Sequence, residues 1–307
     1  MPSSSNTHEA PRIEPKAGVA DERVSDNVGN DGTLNAADSL RLHWPEYLME
    51  AGEACLYLFF VCAVATLVWH PASPIQPYLP GDTVRRMLMG VAMGVTIIAI
   101  VLSPWGKQSG AHLNPAVTFT YFRLGKVAWW DAVFYCLAQF SGAFAGVALA
   151  SFVLQGAPAN QAVHYAATMP GVYGDTIAFV AELAIAFILM SAILFASNHQ
   201  VLARYTHYFA ASLVAAYIAF ESPLSGMSAN PARTFGPALY GNYWHALWIY
   251  FLAPPTGMLA AAEIFLLARG HKEPYCAKLH HHNDKRCIFR HSGKEPAVRA
   301  AEAVHYA

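Results

Sequence analysis

Long apolar runs alternate with short polar segments along most of this chain. Six runs are long enough to be read as membrane-crossing helices, at about residues 47–69, 84–104, 128–154, 176–197, 207–220 and 244–268. In the first, Thr66 is the lone polar residue between Ala54 and Val68. The fifth is short, so its start is expected a few residues earlier. Two further apolar segments, 113–119 and 229–235, are too short to cross. Each opens Asn-Pro-Ala, at Asn114-Pro115-Ala116 and Asn230-Pro231-Ala232. Asn is a good helix cap because its side-chain oxygen accepts from an orphan backbone N–H. Proline at the first helical position loses only an N–H that had no partner. The pattern predicts two half-helices of about two to three turns that enter the membrane and turn back.

Sliding the chain by 116 residues lays 109–119 on 225–235, and seven of the eleven positions are identical. Glu50 in the first span has a counterpart in Glu182 of the fourth. Each half then holds three spans and one half-helix. Three is odd, so the second half enters from the opposite face, which makes an inverted repeat. The fold class expected is an all-α membrane protein of six transmembrane helices plus two re-entrant half-helices.

Charge sharpens this picture. Asp, Glu, Lys and Arg make up 13% of the 307 residues, but only 16 fall among the 224 residues from Pro45 to Ala268. A stretch so poor in charge cannot give a soluble domain a wettable surface. The expected organisation is a polar, disordered N-terminal tail (1–44), a channel-like membrane domain (45–268, with halves about 45–155 and 176–268), and a basic, His-rich C-terminal tail (269–307). The tails carry 4 and 8 of the 19 Lys and Arg, and the 155–175 connection carries none. By the positive-inside rule both termini are expected to be cytoplasmic, with Arg85 and Arg86 as the exception; the membrane expected is the plasma membrane. A net charge of −1 gives no electrostatic case for nucleic acid. No cleavable signal peptide is read at the start. Cys55, Cys62 and Cys136 sit in apolar runs and read as small hydrophobes.

Two helix N-termini facing each other at the midplane would focus about half a positive charge each. Asn114 and Asn230 would add amide donors there, holding a water by its oxygen with both hydrogens turned away. That breaks a proton-conducting chain and repels cations. Arg233, three residues into the second half-helix, would face the pore toward its outer mouth. These residues, with Ser109 to Thr118 and Ser225 to Arg233, resemble the paired signatures of the aquaporin/aquaglyceroporin (major intrinsic protein) family over about residues 46–268. The resemblance implies a passive channel, a homotetramer with one pore per subunit, and a buttressing role for Glu50 and Glu182 behind the half-helix loops. It implies a loop- or vestibule-supporting role for His112. Gly142, Ala145 and Gly146 would permit close helix contacts.

The family divides by its outer constriction. Counting back from the two Asn places Gly94, with Met93 beside it, and Ile218, with Tyr217 beside it, at that level, together with Met227 and Arg233. Strict water channels resembling this one carry His at the span-5 position and an aromatic at the span-2 position; neither is present here. Thr234, Ala238 and Tyr250-Phe251 point back toward water. The reading is a water channel that also admits small uncharged solutes, with a glycerol-type facilitator as the alternative. A proton-coupled transporter using Glu50 and Glu182 is a weaker alternative, and no nucleophile–base pair in the spans suggests an enzyme. Glu53 and Glu263 read as interfacial or packed between helices. The C-terminal Cys276, His280–His282, Cys287 and His291 match no compact finger spacing, so the tail reads as solvated, with no metal or cofactor assigned and zinc-linked gating as the alternative.

Overall fold

The computed structural model describes residues 34–281 and 283–292, and every regular element among them is helical. Helix α1 (Ala36–Trp69) starts where Asn35 caps it, its side chain accepting from the Asp38 N–H at 2.9 Å. Its 34 residues reach about 51 Å, beyond the ~30 Å of a hydrocarbon core. Residues 36–44, expected to be part of a disordered tail, are therefore helical. The rest of the expected tails, 1–33 and 293–307, and His282 lie outside the described residues.

The first half continues with α2 (Gly81–Leu102), α3 (Pro104–Ser109), α4 (Pro115–Arg123) and α5 (Trp129–Val153). The second half repeats the order as α6 (Gly174–Ser197), α7 (Thr206–Phe220), α8 (Ser222–Ser225), α9 (Pro231–Gly241) and α10 (Leu247–Ala268). Helices α1, α2, α5, α6 and α10 are long and apolar enough to cross a membrane. With 15 residues, α7 reaches only about 22 Å. A 3-10 turn at Ala203–Tyr205 precedes it and α8 follows it, and together they complete the sixth crossing. The half-helices α4 and α9 have 9 and 11 residues.

Helix α1 packs on α5, α6 packs on α10, and α2 meets α7 across the two halves. Missing side chains let these pairs approach. A Cβ on Gly142 would sit 2.2 Å from the Ala51 carbonyl oxygen, and one on Gly257 would sit 2.3 Å from that of Leu183. Gly146 makes a similar approach to Cys55, whereas Ala145 is exposed. Leu137, Val180 and Leu252 point outward and are more than half exposed, as suits helices facing lipid or another copy. The half-helices lie inside the bundle, with Pro115, Ala116, Pro231 and Ala232 buried.

Candidate pore and its two mouths

The two Asn-Pro-Ala segments meet head to head. Asn114 caps α4, its Oδ1 accepting from the Ala116 N–H at 2.9 Å, and its Nδ2 donates to the Ala229 carbonyl at 2.7 Å. Asn230 caps α9 in the same way, through the Ala232 N–H at 3.0 Å, and its Nδ2 donates to the Leu113 carbonyl at 2.7 Å. Each cap therefore holds its own half-helix and ties down the other's loop. Both loops bend through the left-handed region at matching positions: Gly110, Ala111 and Leu113 in one, Gly226, Met227 and Ala229 in the other. For Ala, Leu and Met such angles carry strain of order 1–3 kcal/mol each, so the surroundings must hold them.

Buried carboxylates do this. Glu182 accepts from the Ser228 and Ala229 N–H groups, both at 2.7 Å, and lies 2.8 Å from the Ser225 hydroxyl. Glu50 accepts from the Leu113 N–H and from Gln139 Nε2 at 2.8 Å. Glu53 is buried, and the Ser109 hydroxyl donates between its two oxygens at 3.0 and 3.1 Å. Glu263 instead pairs with Arg123 at 2.8 Å on the half-exposed surface. Tyr135 and Tyr250 donate to the Ser109 and Ser225 carbonyls at 2.7 and 2.5 Å, closing each loop from behind.

Two cavities lie on either side of this junction. The far one, of about 310 Å³, is lined by Tyr57, Met89, Met93, Ile218, Met227 and Arg233 among others. Arg233 Nη1 donates to the Ala166 carbonyl at 2.8 Å, which fixes the guanidinium at the wall. The near one, of about 80 Å³, is lined by Asn114, Asn230, His112, Val117, Ile193 and Leu279 among others. Tyr57 and Met227 line both, so the pore narrows at their level. Of the residues expected at the outer constriction, Met93, Ile218, Met227 and Arg233 meet there. Gly94 and Tyr217 do not. A Cβ on Gly94 would point at Ala211 and Ala215 of α7, so that residue faces the helix seam. Tyr217 lines neither cavity and packs against the apolar core instead.

The tail-side mouth is covered by the chain's own C-terminal segment. This corrects the reading of a solvated tail: Cys276, Ala277, Lys278, Leu279 and Phe289 are buried. His112 spans the contact, with Nδ1 3.0 Å from the Thr118 hydroxyl and Nε2 3.0 Å from the Ala277 carbonyl. A carbonyl only accepts, so Nε2 carries the proton and Nδ1 accepts from Thr118. Phe289 stacks on the other side of the segment against the same imidazole at 5.1 Å. Lys278 Nζ donates to the Lys107 and Arg286 carbonyls at 2.8 and 2.7 Å, and burial lowers its ammonium from the ordinary value. Lys126 Nζ lies 2.7 Å from Glu273 and holds that carboxyl below its usual range. Cys276, His281, Cys287 and His291, whose spacing suggests no compact site, are brought together by these turns.

The family model for major intrinsic proteins matches residues 38–265. The chain belongs to the major intrinsic protein family. Among its relatives, Aquaporin NIP2-3 of Zea mays is 33% identical over 233 residues, covering 75% of this chain and 72% of that protein. Aquaporin NIP1-4 of Oryza sativa subsp. japonica is 37% identical over 182 residues, which is 59% of this chain and just 64% of that protein's length. The aquaglyceroporin from Plasmodium falciparum superposes with a TM-score of 0.60 at 22% identity, over 73% of this chain and 95% of that one. The architecture is thus the fold of the major intrinsic proteins.

Several residues that line the cavities or brace their loops carry no motif in the sequence. Tyr57 stands seven residues, about two helical turns, beyond Glu50 on the same face of α1, and that spacing could have found it. Met89 lies one turn from Met93 on α2. Gln139 bridges Glu50 and the Thr118 hydroxyl at 2.8 and 3.0 Å, a tie that no local pattern announces.

Proposed function

We propose that this channel conducts water passively along the axis from the Arg233 side to the His112 side, and that protons and ions are turned back where the two half-helices meet. One observation carries the reading: the reciprocal tie of Asn114 and Asn230 to each other's loop carbonyls. Each amide nitrogen has two hydrogens, and the tie uses one, leaving the other for a water oxygen in the cavity that both residues line. The ends of α4 and α9 add about half a positive charge each. Arg233 adds a whole one at the far constriction. Glu50 and Glu182 line neither cavity, and backbone N–H groups occupy them, which favours a buttressing role over a proton relay.

The constriction has Met93, Ile218 and Met227 for apolar walls beside the Tyr57 ring and the Arg233 guanidinium. Such a wall supports passage of small uncharged solutes of glycerol size as well as water. The Lys and Arg distribution supports cytoplasmic tails, and a plasma-membrane setting belongs to the same reading. The outward apolar faces support a homotetramer with one pore per chain. Neither an enzymatic role nor a cofactor is part of this reading.

The test is stopped-flow light scattering on proteoliposomes carrying the full chain or its Leu279→Gly variant, which removes the Leu279 side chain from the near cavity. An impermeant osmolyte, an inward glycerol gradient and an entrapped pH dye give the three fluxes. Water shrinkage faster than in empty liposomes, with no added proton leak, is expected. Glycerol entry on the same scale would make it a solute facilitator. Water flux no faster than in empty liposomes for both proteins would refute conduction.

A further inference from the structure

The C-terminal segment covering the tail-side mouth contains a set of metal ligands. We propose that Cys276, His281, Cys287 and His291 bind one zinc ion, and that the ion clasps this segment over the pore so that zinc closes the channel. Their ligand atoms all lie within 4.8 Å of one another. Cys276 Sγ and Cys287 Sγ are 3.6 Å apart, and His291 Nε2 is 3.2 Å from Cys287 Sγ. Around tetrahedral zinc, with bonds of about 2.3 Å to sulfur and 2.0–2.1 Å to nitrogen, the ligand atoms stand roughly 3.3–3.8 Å apart. The two sulfurs are far beyond the ~2.05 Å of a disulfide. Two thiolates and two imidazoles are also the donor set zinc prefers; on binding, the thiol protons pass to solvent.

The ligands bracket the residues that cover the pore. Between Cys276 and His281 lie Ala277, whose carbonyl takes the His112 hydrogen bond, and Leu279. The Leu279 N–H donates to the Gly110 carbonyl at 3.2 Å, and its side chain enters the cavity that Asn114 and Asn230 line. Between Cys287 and His291 lies Phe289, stacked on His112. An ion that holds the four ligands together therefore fixes the cover from both sides. Without it the segment is held by its hydrogen bonds, the Lys126–Glu273 ion pair and the packing of Leu279 and Phe289, weaker links whose thermal opening frees the mouth. A ligand that binds the covered form more tightly than the open one shifts the population by that ratio and no more.

Full-length protein is purified without metal, and its zinc content is measured after equilibration with the ion and dialysis. Cobalt is used in parallel, because thiolate-to-cobalt charge transfer and tetrahedral d–d bands report Cys2His2 ligation directly. One metal per chain is expected, falling to none in Cys287→Ser. Water permeability of proteoliposomes should drop by about tenfold between chelated and zinc-loaded wild type. Cys287→Ser should ignore zinc, and Leu279→Gly should bind it as wild type does yet still conduct. A chain that binds no metal, or an intact mass two hydrogens lighter, as for a Cys276–Cys287 disulfide, would overturn the site. Stoichiometric binding with equal permeability in both states would overturn the gate. If neither the chelated wild type nor Leu279→Gly conducts, it is the channel reading that fails.

Discussion

Glu50 and Glu182 occupy equivalent places in the two halves, but the structure predicts unequal consequences for the same substitution. In Glu182→Gln one oxygen survives. It can keep the Ser228 N–H and the Ser225 hydroxyl, but the new amide then meets the Ala229 N–H, donor against donor. A hydrogen bond to a charged group contributes about 1.5–3 kcal/mol, and a buried N–H left without an acceptor costs about 1–3 kcal/mol. A loss of about 2–3 kcal/mol follows. Glu50 takes both its hydrogen bonds, from Leu113 and Gln139, on Oε1, while Oε2 makes none. Glu50→Gln can keep that oxygen in place and orphans no backbone N–H, so its loss is confined to the amide it buries without an acceptor, about 1 kcal/mol and smaller than that of Glu182→Gln. Tryptophan fluorescence during thermal unfolding in detergent ranks the three proteins, and an entrapped pH dye reads the junction. Because Ala229 also supplies the carbonyl that holds Asn114, Glu182→Gln should leak protons and Glu50→Gln should not. Equal melting of Glu182→Gln and wild type, or equal damage from both variants, would refute the assignment of partners.

Other perturbations follow from the same contacts. Arg233→Val removes the fixed charge and its tie to Ala166; proton leak and glycerol entry should both rise in the proteoliposome assay. Met93→Ala opens the constriction and should raise the glycerol-to-water ratio, whereas Gly94→Ala, at the α2–α7 seam, should lower melting and leave that ratio unchanged. Gly142→Ala and Gly257→Ala drive a methyl to 2.2 and 2.3 Å from a facing carbonyl. Overpacking of this kind costs about 1–3 kcal/mol or more, so both should melt well below wild type, while the exposed Ala145→Leu should not.

Much of the architecture was legible because it rests on local rules. Apolar run length gives spans, Asn followed by Pro gives a capped helix start, and the 116-residue offset gives the inversion. The constriction was harder, since counting from Asn114 and Asn230 runs through loops. An error of one residue turns a helical side chain by about 100°, enough to exchange Met93 for Gly94 and Ile218 for Tyr217. Helix α1 starts early for a reason the sequence does carry, Asn35 with Asp38 three residues later. The fold of the C-terminal segment could not be read that way. It has no helical or strand periodicity, and its buried Lys278 is satisfied by carbonyls from two separate parts of the chain. The cluster of Cys and His ligands depends on those long-range contacts, which spacing alone does not express.

The repeat also shows how the labour is divided. Where the halves match, both do the same job: Ser109 and Ser225 each accept the N–H two residues on, at 3.0 and 3.1 Å, and the two Asn hold one another's loops. Where they differ, each mouth acquires its own device. Val117 faces the near cavity, but its counterpart Arg233 reaches Ala166 and charges the far one. Ser228 satisfies itself locally through Thr234 at 2.6 Å. Its counterpart His112 makes the equivalent contact to Thr118 and has a second nitrogen left over, which takes hold of the tail at Ala277. The Asn amides bond each other's loops and not the tail. Release of the C-terminal segment should therefore change how fast the pore conducts while leaving the proton barrier intact. The ratio of proton to water flux, measured before and after the mouth opens, should not move; a ratio that rose with opening would mean that the tail itself is part of the barrier.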